Sequence, residues 1–207
     1  MKALAINGSH RKGKNTATLL RVTLEELQKN GVETELIELA DYFIKPCSAC
    51  NRCLRHAQCS IKDDQMAQIV EKLLECDALI LGSPVYWANV TGLMKNFMDR
   101  TRWLHMTKNS LAGKVGAALT YAGLRNGGQE LCLLIMENFL KTHGLHVVDD
   151  RDPERPLISA GSMGTLFAGY KNGTIRWNKG AEEDSLVLES CRQTGRNMYS
   201  LMKKLFS

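Results

Sequence analysis

The sequence predicts an α/β fold in which a doubly wound parallel sheet has helices on both faces. Two observations predict it. Short apolar runs typical of buried strands alternate with longer segments of helical periodicity, which favours parallel strands joined by right-handed crossovers. The chain of 207 residues, 44% hydrophobic and 24% charged, suffices for one sizeable core. Because no internal repeat or linker interrupts it, we expect a single domain over residues 1–207.

The first half of the chain contains three predicted strands. Residues 3–6 form an apolar run that leads directly into a polar loop, as a buried strand does. The helix that follows has leucines on one face and ends at Gly31. In residues 32–36, Val32, Thr34 and Leu36 alternate with two glutamates, which predicts a half-buried edge strand. A strongly periodic helix then opens at Asp63-Asp64 and precedes the third apolar strand, residues 78–81.

The second half continues the alternation. A helix begins at about Thr91, with apolar residues at core spacing, and residues 115–120 form the fourth strand. A helix over residues 129–143 and a short strand over residues 145–148 complete a fifth unit. The last helix is predicted over residues 182–205.

Two segments stand outside this alternation. Residues 46–60 form a cysteine-rich loop after the second strand. Residues 149–180 hold most of the remaining prolines and many glycines, so we expect them to be irregular.

Charge and composition exclude several classes of function. The net charge is +5, without long runs of like charge, which suits an anionic cofactor better than a nucleic-acid groove. We therefore expect no nucleic-acid partner. No segment reaches the length of a membrane helix and the first residues do not form a secretory signal, so we expect a cytoplasmic protein with no membrane partner. An odd number of cysteines, seven, argues against a disulfide framework and favours metal or redox chemistry.

Residues 8–16, here called the phosphate loop, join the first strand to the first helix. Free backbone amides and the helix dipole favour an anion at such a place. The loop lacks the spacing of G-x-x-x-x-G-K-[ST] and of G-x-G-x-x-G, which disfavours a nucleoside triphosphatase and a dinucleotide-fingerprint dehydrogenase. The competing interpretation is a solvated polar turn. The predicted phosphate-binding residues are Ser9, Arg11, Lys14, Asn15 and Thr16.

A second segment identifies the anion by resemblance. Residues 82–100, which begin Gly-Ser-Pro-Val-Tyr-Trp, resemble over their whole length the flavin-contacting loop and following helix of the NADPH-dependent FMN reductase family. The resemblance implies a flavodoxin-like, five-stranded parallel sheet of order 2-1-3-4-5, and FMN as cofactor. It places the flavin ring against a wall formed by Pro84, Val85, Tyr86, Trp87 and Asn89. The alternative is that the two aromatic residues are ordinary core.

The loop after the fourth strand is the third predicted contact. Its glycines let a backbone approach a planar ligand closely. In an open α/β sheet of this order, the loops after strands one, three and four meet at the switch point, outside the carboxyl ends of the strands. The residues predicted to contact FMN here are Thr120, Ala122, Gly123, Gly127 and Gly128.

The cysteine loop has a compact spacing. Cys47, Cys50 and Cys53 are separated by two residues each, as in bacterial [4Fe–4S] runs, and Cys59 follows after a longer gap. Together with Asp63-Asp64-Gln65-Met66, the motif resembles that of the iron-sulfur flavoproteins, a branch of the same family. That resemblance implies a [4Fe–4S] cluster on the four cysteines, and oligomers in which a cluster lies near a flavin of a neighbouring subunit.

Two other interpretations of this loop stay open. The thiols could be empty, as in relatives that keep several of these cysteines without a cluster. Four thiolates, or three with His56, could also hold zinc, although three cysteines at successive two-residue gaps do not easily form the two separated pairs of typical zinc sites. Cys76, Cys132 and Cys191 lie in helical patterns and are interpreted as buried apolar residues.

The resulting functional expectation is a flavin-dependent oxidoreductase that carries FMN and a [4Fe–4S] cluster. It would pass electrons between a reduced donor and an acceptor, small molecule or protein, as a homodimer or homotetramer. No side chain has to act as an acid or base, so no catalytic residue is predicted. The alternatives are an NAD(P)H-dependent FMN or quinone reductase without a cluster, a flavodoxin-type electron carrier, and a zinc-stabilised binding module. Asp99-Arg100 is interpreted as packing or interface polarity.

Overall fold

The structure is a computed structural model that describes residues 1–152, 154 and 161–206. Its first five strands are β1 (Lys2–Asn7), β2 (Glu33–Glu38), β3 (Ala78–Pro84), β4 (Val115–Ala122) and β5 (His146–Val147). The helices are α1 (Asn15–Gln28), α2 (Met66–Glu75), α3 (Gly92–Arg100), α4 (Trp103–Met106), α5 (Gln129–Thr142) and α6 (Ser185–Phe206). These elements follow the alternation that the sequence predicts.

The sheet confirms the predicted topology. Its order is β2-β1-β3-β4-β5, and every neighbouring pair runs parallel. Because the order reverses between β1 and β3, the chain leaves the carboxyl ends of these two neighbouring strands toward opposite faces of the sheet, which leaves a crevice there.

Two apolar layers hold the helices on the sheet. Side chains alternate across β1, so that Leu4 and Ile6 face one layer while Ala3 and Ala5 face the other. The first layer packs α2, α3, α4 and α5 on one face, and the second packs α1 and α6 on the opposite face. This is the doubly wound arrangement that the sequence predicts.

Residues 149–180 are more regular than predicted. Where they are described, they contain β6 (Ser162–Thr165), β7 (Phe167–Lys171) and β8 (Thr174–Trp177); part of the predicted irregular segment lies outside the described residues. β6 runs parallel to the carboxyl half of β4, whereas β5 pairs with the amino half, so two short strands share the fifth position. β7 and β8 form a separate antiparallel hairpin. Its turn, Asn172-Gly173, has positive φ at both residues and is a hairpin signal that the sequence analysis missed.

None of the helices in the described part of the chain has the length and apolarity of a membrane span.

Candidate functional site

A cleft lies at the carboxyl edge of the sheet, where the loops after β1, β3 and β4 meet. Ten of the fifteen residues predicted to contact the flavin line it, together with two that were not predicted, Tyr121 and Leu166. The ten are Ser9, Arg11, Lys14, Asn15, Thr16, Pro84, Val85, Tyr86, Ala122 and Gly123. The other five predicted residues do not line the cleft; they are Trp87, Asn89, Thr120, Gly127 and Gly128.

The phosphate loop is held in shape by Glu38, at the end of the neighbouring strand β2. One carboxylate oxygen accepts from Asn7 Nδ2 at 2.6 Å and the other accepts from the Gly13 amide at 3.1 Å. Gly8 packs closely against α3. A Cβ added at this glycine would lie only 2.7 Å from Met94 Cβ, so a larger residue does not fit there. The loop is therefore tied both to β2 and to α3.

The amino end of α1 opens into the cleft. Lys14 is its N-cap residue and provides no capping side-chain acceptor, so the first-turn amides, which have no intrahelical acceptor, are available to an anion. Arg11 and Lys14 add positive charge at the same place. Lys12 is different, because its Nζ pairs with Asp41. Asn15 Oδ1 accepts from the Ala181 amide at 3.2 Å and so ties this helix end to the turn before α6.

The Ser9 hydroxyl does not point freely at a ligand. It accepts from the Arg11 amide at 3.1 Å and is 3.2 Å from the Arg11 carbonyl oxygen, to which it donates. Ser9 therefore shapes the turn that presents Arg11. A direct bond from this hydroxyl to a phosphate would need the hydroxyl proton to leave that carbonyl.

A two-residue turn carries the loop after β3. Tyr86 and Asn89 exchange both backbone hydrogen bonds, at 2.9 and 3.0 Å, and the residues between them, Trp87 and Ala88, both have positive φ. This conformation puts Trp87 at the tip, where it is 100% exposed. The predicted flat wall is therefore formed by Pro84, Val85 and Tyr86 without the indole. The Asn89 side chain accepts from the Val90 amide instead of lining the cleft.

The loop after β4 supports the cleft more than it lines it. Thr120 is fully buried and donates to the Ser83 carbonyl oxygen at 2.8 Å. A Cβ at Gly128, whose φ is +96°, would lie 2.6 Å from Ala88, so this glycine allows the β3 and β4 loops to touch. The Gly127 amide donates to Gln129 Oε1. These three predicted residues hold the neighbouring loops in place.

Tyr121 is a cleft residue that the sequence analysis passed over between Thr120 and Ala122. Its hydroxyl donates to the Thr165 carbonyl oxygen at 2.9 Å, and burial raises its pKa, so the phenol stays neutral. The His10 ring stacks on Tyr86, another cleft residue, with 5.9 Å between centroids and 12° between planes. That stack joins the phosphate loop to the loop after β3.

Residues 43–45 and 64–66 flank the cysteine loop, and hydrogen bonds hold them together; they are here called the neck of the loop. The Phe43 amide donates to Gln65 Oε1, and the Gln65 amide donates to the Phe43 carbonyl oxygen. Asp64 accepts from the Lys45 amide at 3.0 Å and from the Met66 amide at 3.1 Å. The two ends of the loop are therefore bonded to each other before the first cysteine and after the last.

All four cysteines of the motif line one cavity. Its other lining residues come from the same loop and from the end of α3 and the residues just after it, among them Arg100, Arg102 and Trp103. Cys47 and Cys50 are exposed, whereas Cys53 and Cys59 are half-buried. Within the described residues, no three His, Cys, Asp or Glu side chains converge on a common metal position. The donor set fits an iron–sulfur cluster in chemistry and location, but the sulfurs have to move together to ligate one.

The Cys50 thiol has local partners. Its sulfur is 3.0 Å from Ser60 Oγ, and that hydrogen bond, aided by the Arg52 amide, lowers the pKa of Cys50. By contrast, burial raises the pKa of Cys76 to about 11 and that of Cys191 to about 12. Cys132 is buried as well, so these three are apolar residues of the interior, as predicted.

Arg100 is a buried cation beside this cavity. Only 2% of it is exposed, and its guanidinium pairs with Asp64 and donates to the Lys45 carbonyl oxygen at 2.6 Å. Burial opposes its charge, but Asp64 and the neighbouring Cys59 together more than offset this and raise the pKa of Arg100. The interpretation of Asp99-Arg100 as packing or interface polarity missed this pair, because the partner lies 36 residues away in the chain.

Comparisons with known proteins agree with this architecture. Residues 1–152 match the family model described as NADPH-dependent FMN reductase. A protein of Methanocaldococcus jannaschii named as an iron-sulfur flavoprotein is 37% identical over 203 residues, or 98% of each chain. The structure of RosB with bound 8-demethyl-8-formylriboflavin-5'-phosphate has a TM-score of 0.74 at 19% identity, over 99% of this chain and 80% of that one. An archaeal flavodoxin has a TM-score of 0.57 at 18% identity, over 98% and 99% of the chains. The last two likenesses bear on the fold alone.

Proposed function

Because the chain belongs to the iron-sulfur flavoprotein branch of the NADPH-dependent FMN reductase family, we propose that it is an oxidoreductase carrying both FMN and a [4Fe–4S] cluster. In this proposal FMN binds in the cleft between the loops after β1, β3 and β4, and the cluster binds on the cysteine loop. The protein passes electrons from a reduced donor to an acceptor, with NAD(P)H as one candidate donor.

The cleft suits FMN through the chemistry of its lining. The free amides of α1 and the cations Arg11 and Lys14 bind the phosphate, while Pro84, Val85 and Tyr86 provide an apolar face for the ring. Bound FMN would accept electrons in pairs and release them singly. The chain orients it and limits the access of water to one side of the ring.

For the cluster, the support is the chemistry of the cysteine cavity. Four thiols line it, two of them half-buried, and the neck bonds at Asp64 keep the loop compact. In this proposal Cys47, Cys50, Cys53 and Cys59 hold the cluster, which would supply one-electron relay. Arg100 and Arg102 bring positive charge to the same cavity.

The observation that carries the proposal is the position of α3. Its capping residue, Thr91, donates to the Gly8 carbonyl oxygen of the phosphate loop at 2.5 Å, while its last residue, Arg100, lines the cysteine cavity. Nine residues of α-helix span about 13 Å. One rigid element thus joins the proposed flavin site to the proposed cluster site.

A second candidate is an NAD(P)H-dependent FMN or quinone reductase whose cysteine loop stays empty. One observation favours it: within the described residues, the four sulfurs do not converge, and Cys50 is hydrogen-bonded to Ser60 instead. A flavodoxin-type carrier is less well supported, since such carriers are usually acidic and this chain has a net charge of +5.

Assembly and location are part of the same proposal. We propose a homodimer or homotetramer in which the cysteine loop of one chain approaches the flavin of another. Support comes from the aromatic side chains at the cleft and on the hairpin, since Trp87, Tyr170 and Trp177 are all exposed. Light scattering after gel filtration tests the assembly, and a monomeric mass would contradict it. We place the protein in the cytoplasm, where reducing conditions keep thiols free.

Anaerobic purification followed by flavin, iron and acid-labile sulfide analysis tests the function. We expect about one FMN, four irons and four sulfides per chain. Cys50→Ser should lower the iron content while FMN stays bound. The control, Cys191→Ala, removes a buried thiol of α6 and should leave iron unchanged.

A flavin-loaded parent protein that takes up no iron, even after anaerobic reconstitution, would remove the cluster and favour the reductase. NADPH or NADH oxidation with a quinone then separates a reductase from a carrier, because slow turnover with both nucleotides supports the carrier.

A further inference from the structure

Arg100 has one polar group that the fold does not satisfy. Its Nη1 and Nη2 atoms are occupied by Asp64 and the Lys45 carbonyl oxygen, but the buried Nε has no hydrogen-bond acceptor among the described residues. A buried donor without a partner is costly, and a charged one more so. Such a group in a native fold needs an explanation, and a bound group that accepts this N–H is one.

The surroundings of Arg100 indicate which partner. Arg100 lines the same cavity as Cys47, Cys50, Cys53 and Cys59, so its guanidinium lies beside the four sulfurs. A [4Fe–4S] core bound by four thiolates is anionic, and its sulfurs accept hydrogen bonds. A fixed cation with a spare N–H fits that chemistry.

The guanidinium is also held more firmly than a surface cation. Asp64, in the neck of the cysteine loop, forms an ion pair with the guanidinium, and the Asp64 side chain is only 2% exposed. Asn96, one turn earlier on α3, donates to the Ile44 carbonyl oxygen at 2.6 Å and fixes the same neck. Arg102, in contrast, is half-buried and donates to Asn51 Oδ1, within the loop itself.

We infer that Arg100 is a positioning residue of the cysteine site, which locks the neck of the loop through Asp64 and Lys45 and directs its remaining N–H toward the cluster sulfurs beside Cys59. This inference rests on the proposed cluster. A buried cation and a hydrogen bond to sulfur both stabilise the more negative, reduced state, so Arg100 raises the reduction potential of the cluster.

The experiment compares Arg100→Lys, Arg100→Gln and Arg102→Gln with the parent, each anaerobically reconstituted with iron and sulfide. The readout is the midpoint potential of the cluster from an optical redox titration, alongside iron and FMN content. We expect Arg100→Gln to lower the reduced-to-oxidised ratio at a fixed potential about tenfold, which corresponds to about 59 mV for one electron. Arg100→Lys, which keeps the charge, should give a smaller shift, and Arg102→Gln the smallest.

Each outcome decides the inference. Potentials equal to the parent in both fully loaded Arg100 variants overturn it, since a merely structural role would not move the potential. Variants that bind FMN and melt like the parent but take up no iron support it. Where Arg100→Gln loses its fold, Asp64→Asn/Arg100→Gln is compared with Asp64→Asn, so that only the Arg100 charge differs, and equal potentials in these two variants overturn the inference. If the parent protein binds no iron, the proposed function is wrong, and the inference about Arg100, which rests on it, is wrong as well.

Discussion

Two neighbouring cations of the phosphate loop have different surroundings. Arg11 lines the cleft, whereas Lys12 is paired with Asp41, which lies in the short helical turn after β2. We predict that Arg11→Gln raises the Kd for FMN about tenfold, because a charge-assisted hydrogen bond to phosphate is lost. Lys12→Gln, the matched control, should change it much less. Flavin fluorescence titration of the apoprotein at two salt concentrations measures both, and equal losses in the two variants would contradict the assignment of Arg11.

At the level of single residues, the sequence predicted correctly which loops meet. It predicted less well which of their side chains point into the cleft. Ser9 and Trp87 show why. The Ser9 hydroxyl forms both its hydrogen bonds with the Arg11 backbone. Trp87 points into solvent because it and Ala88, neither of them glycine, both have positive φ. Such backbone conformations are uncommon outside glycine, so residue type alone does not indicate them.

Among the elements, α3 depends on one side chain for its start. Thr91 Oγ1 accepts from the Met94 amide at 3.1 Å as the N-cap and donates to the Gly8 carbonyl oxygen. Thr91→Ala should lower the free energy of unfolding by about 1–2 kcal/mol and weaken FMN binding, because both bonds disappear. Thr91→Ser keeps the hydroxyl and should stay close to the parent. Urea unfolding and FMN titration give the two quantities; an alanine variant with parental FMN affinity would show that the cap does not act on the phosphate loop.

Element prediction succeeded where periodicity was strong and failed where short strands contain glycine. The apolar faces of α2 and α3 predicted both helices. The β7–β8 hairpin was missed because Gly169 interrupts its alternation at a register shift. β6 was missed because it pairs with the carboxyl half of β4, and that pairing is visible only in three dimensions.

For the whole molecule, the strand order places the site. Once β1, β3 and β4 are neighbours, their following loops must meet at one edge, and this follows from the sequence pattern together with the family resemblance. The contact between Asp64 and Arg100 does not follow in that way. It depends on how the ends of the cysteine loop close against α3, and charged residues at such distances in the chain have many alternative partners.

Global stability should depend on pH through His143, at the end of α5. The ring is 4% exposed, and its Nε2 lies 3.2 Å from Thr101 Oγ1. Because that hydroxyl donates to the Met98 carbonyl oxygen, Nε2 carries the proton, and the buried Nδ1 has no partner among the described residues. Burial, with a smaller effect of the adjacent His105, lowers the pKa of His143 from 6.5 to about 4.

A histidine with a lowered pKa stabilises the fold while it is neutral. Its contribution is complete above pH 6.5 and is lost as the pH falls through 4, because the unfolded chain binds the proton first. The gap between 6.5 and about 4 corresponds to about 3 kcal/mol. His143→Gln should therefore lose that part of the pH dependence of unfolding measured between pH 7 and 4, whereas His146→Gln, at an exposed site, should keep it. Identical pH profiles for the parent and His143→Gln would mean that the ring is protonated at no cost to the fold.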